Sequence, residues 1–320
     1  MPIDLIQRLT LQGGVIPGAV SLLLLGVFWW MYQRQSALPR DEEGDQLGGG
    51  PRWLLPMLLA GGFIAADSVV KGAFELWPTD NDGGFELIPS DNTKRAAHAA
   101  LLLGLTGFIE GLVRLPAWCV ALGRGIVFGG LAWMLCEGYA PQTISTEDLW
   151  GIVAVCGLIG SLIAQSADLG AEKSPGWTGS LVWVIAAGAM QPLFHLAGFS
   201  SGSMALAGLM AVLTSTLIVS VIARETRLSR GGVTVIVGLL IAGVLGAGVQ
   251  SEPKSVPVLL LISGVPLVFA IDAGGAKRTL LVRLLGIAAI AGSSAALLTF
   301  GGSAVDEPAE SNPYEQYYGG

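Results

Sequence analysis

Charge is scarce in this chain: 13% of its 320 residues are Asp, Glu, Lys or Arg. Soluble domains carry about 25%, so a surface that faces water over most of the molecule is excluded. Histidine is rarer still, with two residues, and cysteine numbers three. Cys119, Cys136 and Cys156 show no CxxC spacing, and there is no HExxH, Walker-type phosphate loop or His/Cys ligand spacing. A zinc or haem centre is therefore not expected, nor any other cofactor, and the cysteines read as small apolar fillers between helices. The net charge of −7 comes without a basic stripe, so nucleic acid is not an expected partner.

What the chain has in abundance is apolar residues, 52% of the total. They fall into ten stretches, at about 15–33, 53–75, 96–113, 117–139, 148–167, 178–197, 202–223, 232–249, 256–272 and 279–300. A helix rises about 1.5 Å per residue, so roughly 20 apolar residues cross a hydrocarbon core about 30 Å thick. The expected fold class is all-α: a polytopic integral membrane bundle of about ten helices, with the lipid bilayer as its first partner. The ninth stretch is short and carries Gly264 and Pro266, so it is expected to kink, and nine crossings is the alternative count. Residues 1–300 form one helical domain on this reading. Residues 301–320, with Asp306, Glu307, Glu310 and Glu315, form a flexible acidic tail. The start of the chain lacks a basic segment before its first apolar run, so a cleaved signal peptide is not expected.

Lys and Arg set the orientation. Ten fall in connections after odd-numbered stretches, including Arg34, Arg114, Lys173 and Arg224, against four on the other side. Since basic residues stay cytoplasmic, both termini are expected outside the cytosol, in a bacterial inner membrane by default.

Glycine makes up 46 residues, about twice the usual share. Gly107-xxx-Gly111 and Gly125-xxx-Gly129 put small residues one turn apart on consecutive helices, and are expected to let the third and fourth spans nest. The eighth span, with Gly238, Gly243 and Gly246, offers a similar face, and such faces also suit a packing partner.

Ionisable groups inside spans cost roughly 2.5–3.5 kcal/mol each at the bilayer centre, which makes their positions the best clue to function. With the orientation above, Asp67, Lys71, His98, Glu137, Gln191 and His195 share the outer third and are expected to line a polar vestibule. This would be a substrate or proton pathway, with Pro192 bending the sixth span beside His195, and His195 relaying protons between Asp67 and Glu137. Deeper on the inner side lie Glu110, Arg124 and Arg283, which need partners. Asp168 and Asp272 fall at helix ends. Asp67–Lys71 and Glu110–Arg114 are each four residues apart and are expected to neutralise locally. The plain alternative is that most of these groups are satisfied structural residues.

Gly198-Phe199-Ser200-Ser201-Gly202 matches the nucleophile-elbow pattern but lacks a preceding strand. Its serines suit a helix start, so no catalytic residue is assigned. The expected function is a small-solute transporter or permease, with proton coupling as one form of it. The alternatives are a non-catalytic membrane scaffold or assembly partner, and a membrane enzyme acting on a lipid-linked substrate.

Overall fold

The computed structural model describes residues 7–35, 53–71, 92–113, 115–137, 144–173, 176–196, 200–223, 230–250 and 264–300. Among them there is no strand. A π-helical turn, Leu9–Val15, leads into α1 (Ile16–Gln35). There follow α2 (Leu54–Lys71), α3 (Asn92–Leu112), α4 (Ala117–Cys136), α5 (Thr146–Lys173), α6 (Gly176–Leu196), α7 (Ser200–Ala223) and α8 (Arg230–Gln250). A 3-10 segment, Val265–Ala270, precedes α9 (Ala276–Phe300). Seven helices are long and apolar enough to cross a membrane: α1, α2, α4, α5, α6, α7 and α9. This all-helical, apolar construction is that of a helical membrane bundle. Within α8 the shorter stretch Arg230–Gly246 is apolar. The helix α3, which carries Lys94, Arg95 and Glu110, is not among the seven.

Local chemistry sets several helix ends. Pro116 sits in extended backbone (φ −57°, ψ 148°) and opens α4. At the start of α5 the Asp148 amide donates to Ser145 Oγ at 3.1 Å, and Ser145 Oγ donates back to the Asp148 carboxylate at 2.6 Å. With Glu147 and Asp148 in its first turn, α5 begins on a cap and a favourable dipole. Where it is described, the expected ninth span departs from regular α-helix at Gly264 and Pro266, the residues expected to kink it. Its residues 265–270 form a 3-10 turn that ends in extended backbone at Ile271 (ψ 123°), because Pro266 removes a donor and Gly264 weakens the helix. Its earlier part, 256–263, lies outside the described residues. The chain then reverses through Gly274, whose φ of +74° favours glycine. There Asp272 Oδ1 accepts the Gly274 amide and Thr279 Oγ1 accepts the Ala273 amide.

The core is built from close backbone contacts. A Cβ on Gly208 of α7 would overlap the Gly62 carbonyl of α2, and one on Gly231 of α8 would overlap the Gly107 carbonyl of α3. These approaches let fully buried side chains such as Leu59, Leu103, Phe128, Leu209 and Ile236 meet in one cluster. The expected nesting of the third and fourth spans is corrected here. Gly107 meets Gly231 and Pro56, whereas Gly125 and Gly129 meet Gly157 and Val153 of α5. Each small-residue face is used, but against a helix far away in the sequence for one and against the next hairpin arm for the other. Gly238 and Gly243 of α8 take up Leu103 and Phe194. At the flanks, the apolar windows of α1 and α9 are 11% and 17% buried, against 56% for α2 and α7. Those two helices give most of their surface to the surroundings.

Candidate functional site

The most concentrated chemistry lies where α3, α4, α5 and α8 converge. Arg124, fully buried on α4, donates from Nε to Glu110 Oε1 (3.1 Å) and from Nη2 to Glu110 Oε2 (2.8 Å). This is a two-pronged guanidinium–carboxylate pair, the geometry in which arginine binds acids most strongly. Thr234 Oγ1 of α8 donates to the same Oε2 at 2.8 Å, so Glu110 accepts three hydrogen bonds. Arg124 Nη2 also donates to the Arg230 carbonyl, at the first residue of α8, at 3.2 Å.

Asp168 completes the cluster on less favourable terms. Its Oδ2 lies 2.6 Å from Arg124 Nη1, but the N–H bonds of Nη1 do not align on it, and Nη1 has no hydrogen-bond acceptor. The second oxygen, Oδ1, is buried and has no hydrogen-bond partner. The side chains of Arg124, Glu110 and Asp168 are 0%, 6% and 8% exposed. One fully buried cation thus faces two nearly buried carboxylates, one held by three donors and the other by one ionic contact.

Glu110 pairs across helices with Arg124, and its expected partner Arg114 lies outside the described residues. One expectation is corrected by this arrangement. Asp168, expected at a helix end, sits inside α5 because that helix continues to Lys173. The signal that could have found it is spacing: Ser161, Gln165 and Asp168 lie on one face. Ser161 Oγ donates to the Ala121 carbonyl and Gln165 Nε2 to the Ala117 carbonyl, so that polar face is the one turned to α4.

Arg283 of α9 answers its need for partners in a different way. It is 3% exposed and donates to three carbonyls: Phe269 (2.7 Å), Ile271 (3.2 Å) and Gly170 (3.4 Å). Its guanidinium also sits 5.6 Å from the centre of the Phe269 ring, which stacks on Trp183 of α6 at 4.1 Å. The interruption at 265–270 leaves acceptors that no regular helix satisfies, and Arg283 supplies donors for them while fastening them to the end of α5. Gly170 permits the approach, since a Cβ there would overlap the Phe269 carbonyl.

The outer residues are distributed as follows. Asp67, 4% exposed, is paired within α2 to Lys71, as its spacing implies. Glu137 caps α4 with its side chain 45% exposed, and Arg95 of α3 reaches it at 3.3 Å while donating to the Met134 carbonyl at 2.7 Å. His98 of α3 is half-buried, and His195 is exposed in the last turn of α6. Gln191 is half-buried, and α6 stays helical through Pro192. The Gln191 carbonyl accepts Ser203 Oγ of α7 at 2.8 Å, which gives one serine near the elbow-like pattern a packing role. Among the described residues no group of three His, Cys, Asp or Glu is placed to hold a metal ion. A depression of about 260 Å³ at the chain's beginning is lined by Gln7, Arg8, Leu11 and Gln12, none of them among the expected site residues.

No family model, curated protein or solved structure matches this chain.

Proposed function

We propose that this protein is a small-solute transporter or permease, crossing a bacterial inner membrane about ten times with both termini extracytoplasmic. The observation that carries the reading is the Glu110–Arg124–Asp168 cluster. Charge at membrane depth is costly, and a purely structural site needs as many carboxylates as cations; here two buried acids converge on one buried arginine. The interrupted segment at 265–270, tied by Arg283 to α5 close to Asp168, adds support, because transporters build sites from discontinuous helices with freed carbonyls.

A second reading, a non-catalytic membrane scaffold, is favoured by a different observation. Asp67 and Glu137 have local partners in Lys71 and Arg95, as a closed bundle requires. On the transporter reading these pairs are the closed outer side of the pathway that includes His98, Gln191 and His195.

The test is uptake by the full chain in proteoliposomes, with radiolabelled amino acids, sugars, nucleosides and carboxylic acids presented as separate pools under an imposed proton gradient. Saturable accumulation of one pool is expected. Equal passive leak for every pool, with and without protein, overturns the transporter reading and leaves the scaffold.

A further inference from the structure

We infer that Asp168 is a proton-binding site, and that the bound proton occupies Oδ1, the carboxylate oxygen turned away from Arg124. The inference deepens the transporter reading by naming its coupling ion, yet it stands on the geometry of the cluster.

The two acids of the cluster are not equivalent. Both oxygens of Glu110 are hydrogen-bonded: they accept from Arg124 Nε, Arg124 Nη2 and Thr234 Oγ1. Asp168 has one oxygen in ionic contact and one without a hydrogen-bond partner, although the residue is 7% exposed. A buried carboxylate oxygen without a donor carries a penalty well above that of a neutral hydroxyl or carbonyl. A proton on Oδ1 removes the surplus negative charge. Arg124 and Glu110 then remain as a neutral pair, and Oδ2 becomes a carbonyl oxygen facing Nη1.

The groups that act on Asp168 come from every side. Arg124 faces it from α4, and Glu110 lies beyond that arginine on α3. Arg230 acts on it from the first residue of α8, where its side chain is exposed to solvent and its field is screened. From the 3-10 segment and α9 the nearest charge is Arg283, engaged two residues away on the Gly170 carbonyl. The one cation in direct contact is therefore already shared with Glu110. The proton comes from hydronium of the bulk aqueous phase: one O–H bond of hydronium breaks as one forms on Oδ1, leaving water, and release is the reverse.

The site also has a mechanical setting. Asp168 and Gly170 lie in the same turn of α5, one engaged by Arg124 and the other by Arg283. Loading the proton weakens the first attachment and leaves the second, so the end of α5 is where protonation acts on the broken segment.

The experiment is pH-difference infrared spectroscopy on the full chain in lipid nanodiscs, which requires no transported solute. A protonated-carboxylic-acid carbonyl band that grows as pH falls is expected, shifted by ¹³C labelling of aspartate carboxyls and unaltered by labelling of glutamate. The band is expected to vanish in Asp168→Asn and persist in Asp67→Asn. If Asp168→Asn does not fold, the labelling result together with Asp67→Asn decides the assignment. A band that follows glutamate labelling, that disappears in Asp67→Asn, or that is absent at every pH overturns the inference. Failure of solute uptake with the Asp168 band present would remove the transporter reading and leave the proton site intact.

Discussion

Arg124 on α4 and Asp168 on α5 touch at 2.6 Å, yet neither Nη1 nor the far oxygen Oδ1 has a hydrogen-bond partner. The arginine's fork is spent on Glu110 instead. The backbones of α3, α4 and α5 bring Glu110 onto two prongs of the guanidinium and Asp168 into ionic contact with the third nitrogen. This asymmetry gives the two acids different chemistry, and it makes the arginine the residue on which the four-helix junction depends.

Arg124→Met is expected to destabilise the folded bundle by about 3–5 kcal/mol, because it leaves two buried acids without their counter-charge. Arg124→Lys is expected to recover part of that loss, since an ammonium replaces the charge but not the fork. Thermal unfolding in detergent, followed by circular dichroism, measures both. A melting temperature unchanged in Arg124→Met would show that the cluster contributes nothing to stability.

The glycine contacts make a sharp comparison. Gly231→Leu forces a side chain into the Gly107 backbone and is expected to cost at least about 1–3 kcal/mol. Gly123→Ala, at a position with open space around it, is expected to be neutral or to gain up to about 1 kcal/mol from helix propensity. Equal effects of the two substitutions on unfolding would refute the proposed α3–α8 contact.

Arg283→Met removes the donors to Phe269, Ile271 and Gly170. A loss of about 2 kcal/mol or more is expected, concentrated around the 3-10 segment. Hydrogen exchange read by mass spectrometry is the measurement: faster exchange at residues 265–279 with little change in α2 and α7 is the expected pattern. Uniform protection in the variant would mean that Arg283 does not hold the break.

Cysteines introduced one at a time, in a background with Cys119, Cys136 and Cys156 replaced by alanine, test the outer groups and the orientation together. Glu137→Cys is expected to react quickly with a membrane-impermeant maleimide added outside, and Asp67→Cys slowly, following side-chain exposures of 45% and 6%. Protection of position 137 from outside with labelling from inside would invert the topology.

Much of the helical frame was legible in the chain. The run from Leu54 to Lys71 and the two arms Gly176–Leu196 and Ser200–Ala223 match expected spans closely, because an apolar stretch of that length has few ways to satisfy its backbone in lipid other than a helix. The Asp67–Lys71 pair was also readable, being a matter of one helix turn. The central cluster was not. Glu110 and Arg124 are fourteen residues apart with a turn between them, and Thr234 lies 124 residues beyond Glu110. No local spacing records such a meeting.

Sequence alone fixed that this chain forms apolar helices, and that Arg124, Glu110 and Arg283 would need partners, since both follow from the cost of moving peptide groups and charges out of water. Which helices touch, and hence that Arg124 serves Glu110 before Asp168 while Arg283 serves carbonyls, was decided by tertiary packing alone. The physical reason is that Gly107–Gly231 and Gly125–Gly157 bring the backbones of different helices within reach, and only that close approach sets which donor finds which acceptor.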